Sequence, residues 1–183
     1  MDARLESLQQ RIGYRFAQPG LLARALTHRS FGADHNERLE FLGDAILSAA
    51  ISGLLFERFS GSDEGDLTRV RAHLVREDSL HRVALELGLP DVLRLSEGEA
   101  RGGGAQRPSI LADALEAVIG AVFLDGGWEP ALAVVDDLVG HRIDAAAEAG
   151  PGGHDHKTRL QEWAAQHFAD PPRYDLCEEG PDH

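Results

Sequence analysis

The chain has 183 residues, 43% of them hydrophobic, with a formal net charge of −13 and a sequence pI of about 5.0. That is enough apolar material for one ordinary domain plus an appendage, and a molecule this acidic repels polyanions as a whole. One cysteine, Cys177, excludes an intramolecular disulfide, and the amphipathic start "MDARLESLQQRIGYRF" is neither a secretion signal nor a membrane span; the expected compartment is the cytoplasm, with no membrane partner.

In chain order, Leu5, Leu8 and Ile12 recur at helical spacing until "QPG" at Gln18 to Gly20 breaks the pattern. "LLARALTH" follows, then a long run from Asn36 to Phe59. "SGSDEGD" supplies a turn and a helix start, and Leu67, Val70, Leu74, Val83 and Leu87 continue the helical spacing as far as "GLP". A glycine-rich loop, "GEARGGGAQRPS", precedes the helix "ILADALEAVIGAVFLD". Gly126 and Gly127 end that helix, and Glu129 to Ala149 reads as a last amphipathic one. No stretch sustains period-2 alternation, so the expected fold is all-α for a domain spanning residues 1–149. Residues 150–156 read as a flexible linker, residues 151–183 hold seven acids against three bases, and 157–183 are too few to build a core of their own.

Two helices carry an oddity. In "NERLEFLGDAIL" the carboxylates Glu37, Glu40 and Asp44 fall within about 60° of one another on the helical wheel, opposite a core stripe of Leu39, Leu42, Ile46 and Ala50. Like charges so placed destabilise a helix by a few tenths of a kcal/mol. In the helix after the glycine-rich loop, Asp113 and Glu116 share one face while Leu111, Leu115, Val118 and Val122 line the other. Ala117 and Gly120 lie on the acidic side, where small residues permit close approach of another helix. If the two acidic stripes meet, Glu40, Asp44, Asp113 and Glu116 converge, and without a counter-ion at least one carboxyl must titrate high. A divalent cation removes the conflict, and all-oxygen ligation suits Mg²⁺ or Mn²⁺ rather than zinc. Gly43 and Ile119 stand where the histidines of a di-iron bundle would be, which argues against oxygen activation. Metal-assisted phosphate-ester hydrolysis fits this spacing, and an all-helical nucleotide pyrophosphohydrolase fits it as well.

The run "NERLEFLGDAIL" closely resembles the signature of the ribonuclease III family, double-strand-specific endoribonucleases. "SILADALEAVIGAVFLD" resembles that family's second acidic motif, and "LTHRSF", "DEGDLTRVRAHLV" and the glycine-rich loop fall in the family's order. The resemblance implies a helical endonuclease domain that needs Mg²⁺, with Mn²⁺ a possible substitute. Position by position, Glu40 and Asp113 match metal ligands, Asp44 a catalytic aspartate, and Glu116 a metal-binding glutamate on which cleavage depends. Glu37 and Glu64 match acidic positions linked to substrate handling or cooperation between sites. The family forms homodimers through the first acidic helix, which would bury Phe41 in the partner; two sites would then cut opposite strands of one RNA duplex and leave staggered 5′-phosphate and 3′-hydroxyl ends. Processing of rRNA and mRNA precursors is the implied task. "KTRLQEW" resembles the opening of an α+β double-stranded-RNA-binding domain, of which only the start is expected within 157–183. A non-cutting RNA-binding or scaffold protein of the same fold is the rival, and four intact carboxylates facing a polyanion speak against it.

Other residues carry two readings each. His28 reads as a phosphate contact or a hydrogen-bonded structural histidine. Arg101 and Arg107 follow an RNA backbone or belong to a plain connection, and Arg69, Arg71 and Arg76 meet phosphates or water.

Overall fold

A computed structural model describes residues 3–143. The expected linker, the segment 157–183 with Cys177, and the end of the last expected helix lie outside the described residues. Eight α-helices follow one another: α1 Ala3–Ile12, α2 Pro19–Ala25, α3 Glu37–Arg58, α4 Glu64–Val75, α5 Glu77–Glu86, α6 Glu97–Arg101, α7 Pro108–Gly126 and α8 Trp128–Val135. Single 3-10 turns occupy Leu89–Asp91 and Gly104–Gln106, and a π-helical turn, Asp136–Gly140, extends α8. No strand forms among the described residues; Thr27 and Arg94 make an isolated parallel bridge between two loops. The all-α expectation holds for this part of the chain.

The helix α7 is the axis of the domain. Its sequence suggested one core stripe, yet Leu111, Ala114, Leu115, Ala117, Val118, Ile119, Ala121 and Val122 are all buried. A helix apolar on every side is one surrounded by others, and α2, α3, α5 and α8 all pack on it. The most extensive packing is with α3. There the two backbones nearly touch: a Cβ on Gly43 would sit 1.7 Å from the Glu116 carbonyl oxygen, and one on Gly120 would sit 2.3 Å from that of Leu39. This close approach rotates α3 relative to the expected stripe. Leu39, Gly43, Leu47, Ala50 and Leu54 are buried, whereas Leu42 and Ile46 are only half-buried.

Charge and capping place the remaining breaks. The chain is extended at Arg76, which separates α4 from α5, where the apolar spacing alone had run on. Glu77 and Asp78 then occupy the first turn of α5, where the helix dipole favours acids. Asp63 caps α4 by accepting from the backbone N–H of Asp66 at 2.9 Å. At the far end of α7, Asp125 accepts from Tyr14 Oη (2.9 Å), Ala17 N (2.8 Å) and Gln18 N (2.9 Å), which ties the α1–α2 connection to the central helix. Arg58, at the end of α3, pairs with Asp136 at 2.8 Å and donates to the carbonyl of Gly140 at 3.4 Å.

Candidate active site

The glycine-to-glycine crossing sets two acidic helix faces against each other. Glu40 comes from the first turn of α3, and Asp113 and Glu116 from the second and third turns of α7. One carboxylate oxygen from each of the three lies within 4.8 Å of the others. Asp44, exposed one turn further along α3, adds its charge to Glu116 and Glu40. Three of the four carboxylates expected to converge, Glu40, Asp113 and Glu116, thus come together, with Asp44 beside them.

Burial without a counter-ion has the expected electrical consequence. The Glu116 carboxyl is pushed up to about 8, first by desolvation and then by Asp44, Asp113 and Glu40. Glu40 is also raised, by burial and by Asp113, Glu37 and Asp44, while Arg29 pulls the other way. Asp113 is raised by burial and by Glu77, against lowering contributions from His28 and Arg29. Three hard oxygen donors converging at a site that resists negative charge fit a divalent cation of the Mg²⁺ or Mn²⁺ type. A nitrogen- or sulfur-seeking metal finds no such ligand in this cluster.

Glu40 and Asp113 line a groove of about 550 Å³ that also contains His28, Arg29, Glu37, Arg107 and Ser109. The rest of its lining comes from the loop at His28 to Ser30, from Glu99 on α6 and from the start of α7. Arg29 reaches Glu37 at 3.3 Å, and Arg107 meets Glu99 at 2.7 Å. Neither Arg29 nor Glu99 stood out in the sequence. Arg29 lies inside "LTHRSF", but its place in the groove depends on two loops meeting across more than sixty residues, for which no spacing rule exists. Arg101 instead pairs with Glu97 in solvent, Arg69 with Asp66, and Arg71 donates to Ser52 Oγ at 3.0 Å. His28 fits both of its sequence readings, since it is hydrogen-bonded and it lines the groove.

Glu37 and Glu64 separate. Glu37 opens α3 at the groove rim, whereas Glu64 opens α4 beside a distinct hollow of about 250 Å³ containing Ser52, Phe56, Thr68 and Arg71. Phe41 points away from the core and is 81% exposed, and Phe56 on the same helix is 74% exposed.

Comparison with known proteins agrees with this geometry. A family model described as Ribonuclease-III-like matches residues 18–142. The chain belongs to the ribonuclease III family. It is 58% identical over 163 residues to a Ribonuclease 3 from Albidiferax ferrireducens, covering 89% of this chain and 71% of that protein. To a Ribonuclease 3 from Variovorax paradoxus it is 56% identical, over 95% of this chain and 76% of the relative. Among solved structures, the nuclease domain of ribonuclease III from Campylobacter jejuni superposes with a TM-score of 0.73 at 45% identity, over 75% of this chain and 96% of that one. That structure is described for flexibility in the region involved in its dimer formation. Dicer from Pichia stipitis shares the fold more distantly, with a TM-score of 0.57 at 26% identity over 73% of this chain and 59% of that one. Family membership carries with it a requirement for a divalent metal, and the ribonuclease III fold accounts for the helical architecture throughout the described residues.

Proposed function

We propose that the chain is an endoribonuclease that hydrolyses double-stranded RNA with Mg²⁺ as its working ion and Mn²⁺ as a substitute. The observation that carries this reading is the meeting of Glu40, Asp113 and Glu116 within 4.8 Å, on the two packed helices of a ribonuclease III-family chain. These three residues would hold the ion. When bound, such an ion engages a phosphate oxygen, makes a bound water more acidic and steadies the leaving oxygen. Glu116 gives up the proton that burial otherwise keeps on it near neutral pH, so metal binding and proton release are coupled there. Asp44, exposed one turn along α3 from Glu40, is available to accept a hydrogen bond from the attacking water through its Oδ atoms. The opposite wall, with Arg29 and Arg107, faces the sugar-phosphate strand, and Glu37 at the rim handles substrate. The products are staggered ends bearing 5′-phosphate and 3′-hydroxyl groups.

Two such sites arise in a homodimer built on the exposed face of α3, with Phe41 seated in the partner. Glu64, remote from the groove of its own chain, fits a role in cooperation between the two sites. The catalytic and dimerisation domain runs to residue 149, the linker to 156, and an RNA-binding module opens at 157. The setting is cytoplasmic processing of structured rRNA and mRNA precursors.

The test is a labelled RNA duplex incubated with and without Mg²⁺, with product ends read by their chemistry. Cleavage that needs the metal, leaves 5′-phosphates and disappears in Glu116→Gln supports the reading. A Glu116→Gln variant cutting at near wild-type rate removes Glu116 from the ligand set.

A further inference from the structure

The two ring nitrogens of His28 have different surroundings. Nδ1 accepts from the backbone N–H of Ser30 at 3.2 Å and lies 2.9 Å from Ser30 Oγ. An amide N–H only donates, so Nδ1 carries no proton while this bond stands. Ser30 Oγ in turn accepts from the backbone N–H of Ser96 at 3.1 Å, which leaves its own hydroxyl proton for Nδ1. Two donors therefore converge on Nδ1, and the neutral ring keeps its proton on Nε2. Nε2 makes no hydrogen bond among the described residues, and it is not sealed in the interior. The half-buried ring lines the groove that holds Glu40 and Asp113. The two arginines of that groove are engaged, Arg29 with Glu37 and Arg107 with Glu99. A donor-only N–H fixed by a lock that spans two loops, and left without an acceptor at the wall of a groove, is preorganised for an oxygen supplied by a ligand.

We propose that His28, held by Ser30 as its Nε2–H tautomer, is a substrate-positioning residue that donates to a non-bridging phosphate oxygen of the RNA strand lying in the groove. This rests on the endoribonuclease reading above. It differs from an arginine contact in one measurable way. A neutral donor displaces no counter-ion, whereas each cation lost from a duplex contact lowers the slope of log affinity against log salt by about 0.9.

Two measurements test it. Nitrogen-15 correlation spectra of the whole labelled chain, metal-free and at a pH high enough to hold imidazoles neutral, identify the His28 ring by its loss in His28→Gln. The expected pattern is protonated Nε2 and unprotonated Nδ1; an Nδ1–H ring, an averaged ring or an imidazolium overturns the proposal. Steady-state cleavage of an RNA duplex in Mg²⁺ then compares variants. His28→Ala should raise KM by roughly tenfold, as expected for a donor lost from a charged acceptor, with kcat within about threefold. The amide nitrogen of His28→Gln reaches the Nε2 position and should recover most of that loss. In His28→Asn the amide reaches only the Nδ1 position and should not. The salt slope should stay unchanged throughout. An unchanged KM in His28→Ala, equal behaviour of Gln and Asn, or a slope reduced by about 0.9 overturns the assignment. If His28→Ala does not fold, the Gln–Asn comparison decides alone. Failure of the wild-type chain to cut the duplex overturns the endoribonuclease reading and this inference with it. Normal wild-type cleavage with unaffected variants overturns the His28 assignment only.

Discussion

Replacing Gly43 by alanine should cost the enzyme its metal site and much of its stability together. The added methyl would stand 1.7 Å from the Glu116 carbonyl oxygen and 2.5 Å from its carbonyl carbon, with Gly120 N at 3.1 Å. Ordinary contact begins at about 3.4 Å, and the obstructing atoms are backbone, so no rotamer change relieves the overlap. The helices α3 and α7 must part by about 1.5 Å or more. Overpacking of this kind typically costs about 1–3 kcal/mol, which for a chain of this size lowers the melting temperature by roughly 2–12 °C. Separation also pulls Glu40 away from Asp113 and Glu116, whose oxygens now lie within 4.8 Å. Mg²⁺ tolerates little departure from ligand distances of about 2.0–2.1 Å, so affinity should fall by at least tenfold. Thermal melts with chelator and across a Mg²⁺ titration separate the two effects. A Gly43→Ala protein that melts within about 1 °C of wild type, with the same metal-induced shift, would refute the close-approach argument.

Mg²⁺ or Mn²⁺ at 100 times its dissociation constant should stabilise the wild-type fold by about 2.7 kcal/mol; identical melting curves with metal and with chelator would count against a preformed site. The Glu116 carboxyl, raised from 4.5 to about 8 in the folded chain, binds a proton there that the unfolded chain has released. Its contribution is therefore present below about pH 4.5 and lost as pH climbs through 8. Discounted for solvent on its open side, the loss is on the order of 1–2 kcal/mol. Melts of metal-free wild type should fall relative to Glu116→Gln over that window, and parallel pH curves would contradict the assignment. Phe41→Ala should weaken the dimer, by about 3–5 kcal/mol per buried ring; sedimentation showing an intact dimer at low concentration would remove Phe41 from the interface.

Much of the catalytic cluster was legible because helices carry a period. Glu40, Asp44, Asp113 and Glu116 could be put on faces by counting, and Gly120 marked a place where another helix comes near. The depth of that approach was not legible. It depends on Gly43 meeting Gly120, and it decides that Leu42 and Ile46 stay half-exposed while Leu47 is buried. The end of α4 was missed for a related reason: apolar spacing continues across Arg76, and only the acids at Glu77 and Asp78 signal a fresh N-terminus. The His28–Ser30–Ser96 lock and the Arg107–Glu99 pair join loops, which have no period to read. Glu37 and Glu64 matched acidic positions of one kind in sequence, yet α4 begins beside the distal half of α3, near Leu55 and Phe56, away from the groove that Glu37 lines.

The grip of Arg58 on Asp136 and Gly140 pins the π-helical turn to the C-terminal end of α3. Glu40 and Arg58 are eighteen residues apart on one unbroken helix, a rise of about 27 Å. The π-helical turn Asp136–Gly140 is therefore clasped at one end of α3 while the Glu40, Asp113 and Glu116 carboxylates meet near the other. The length of α3 acts as a ruler between that clasp and the carboxylates, and inserting or deleting one turn within it would reset the spacing by about 5.4 Å.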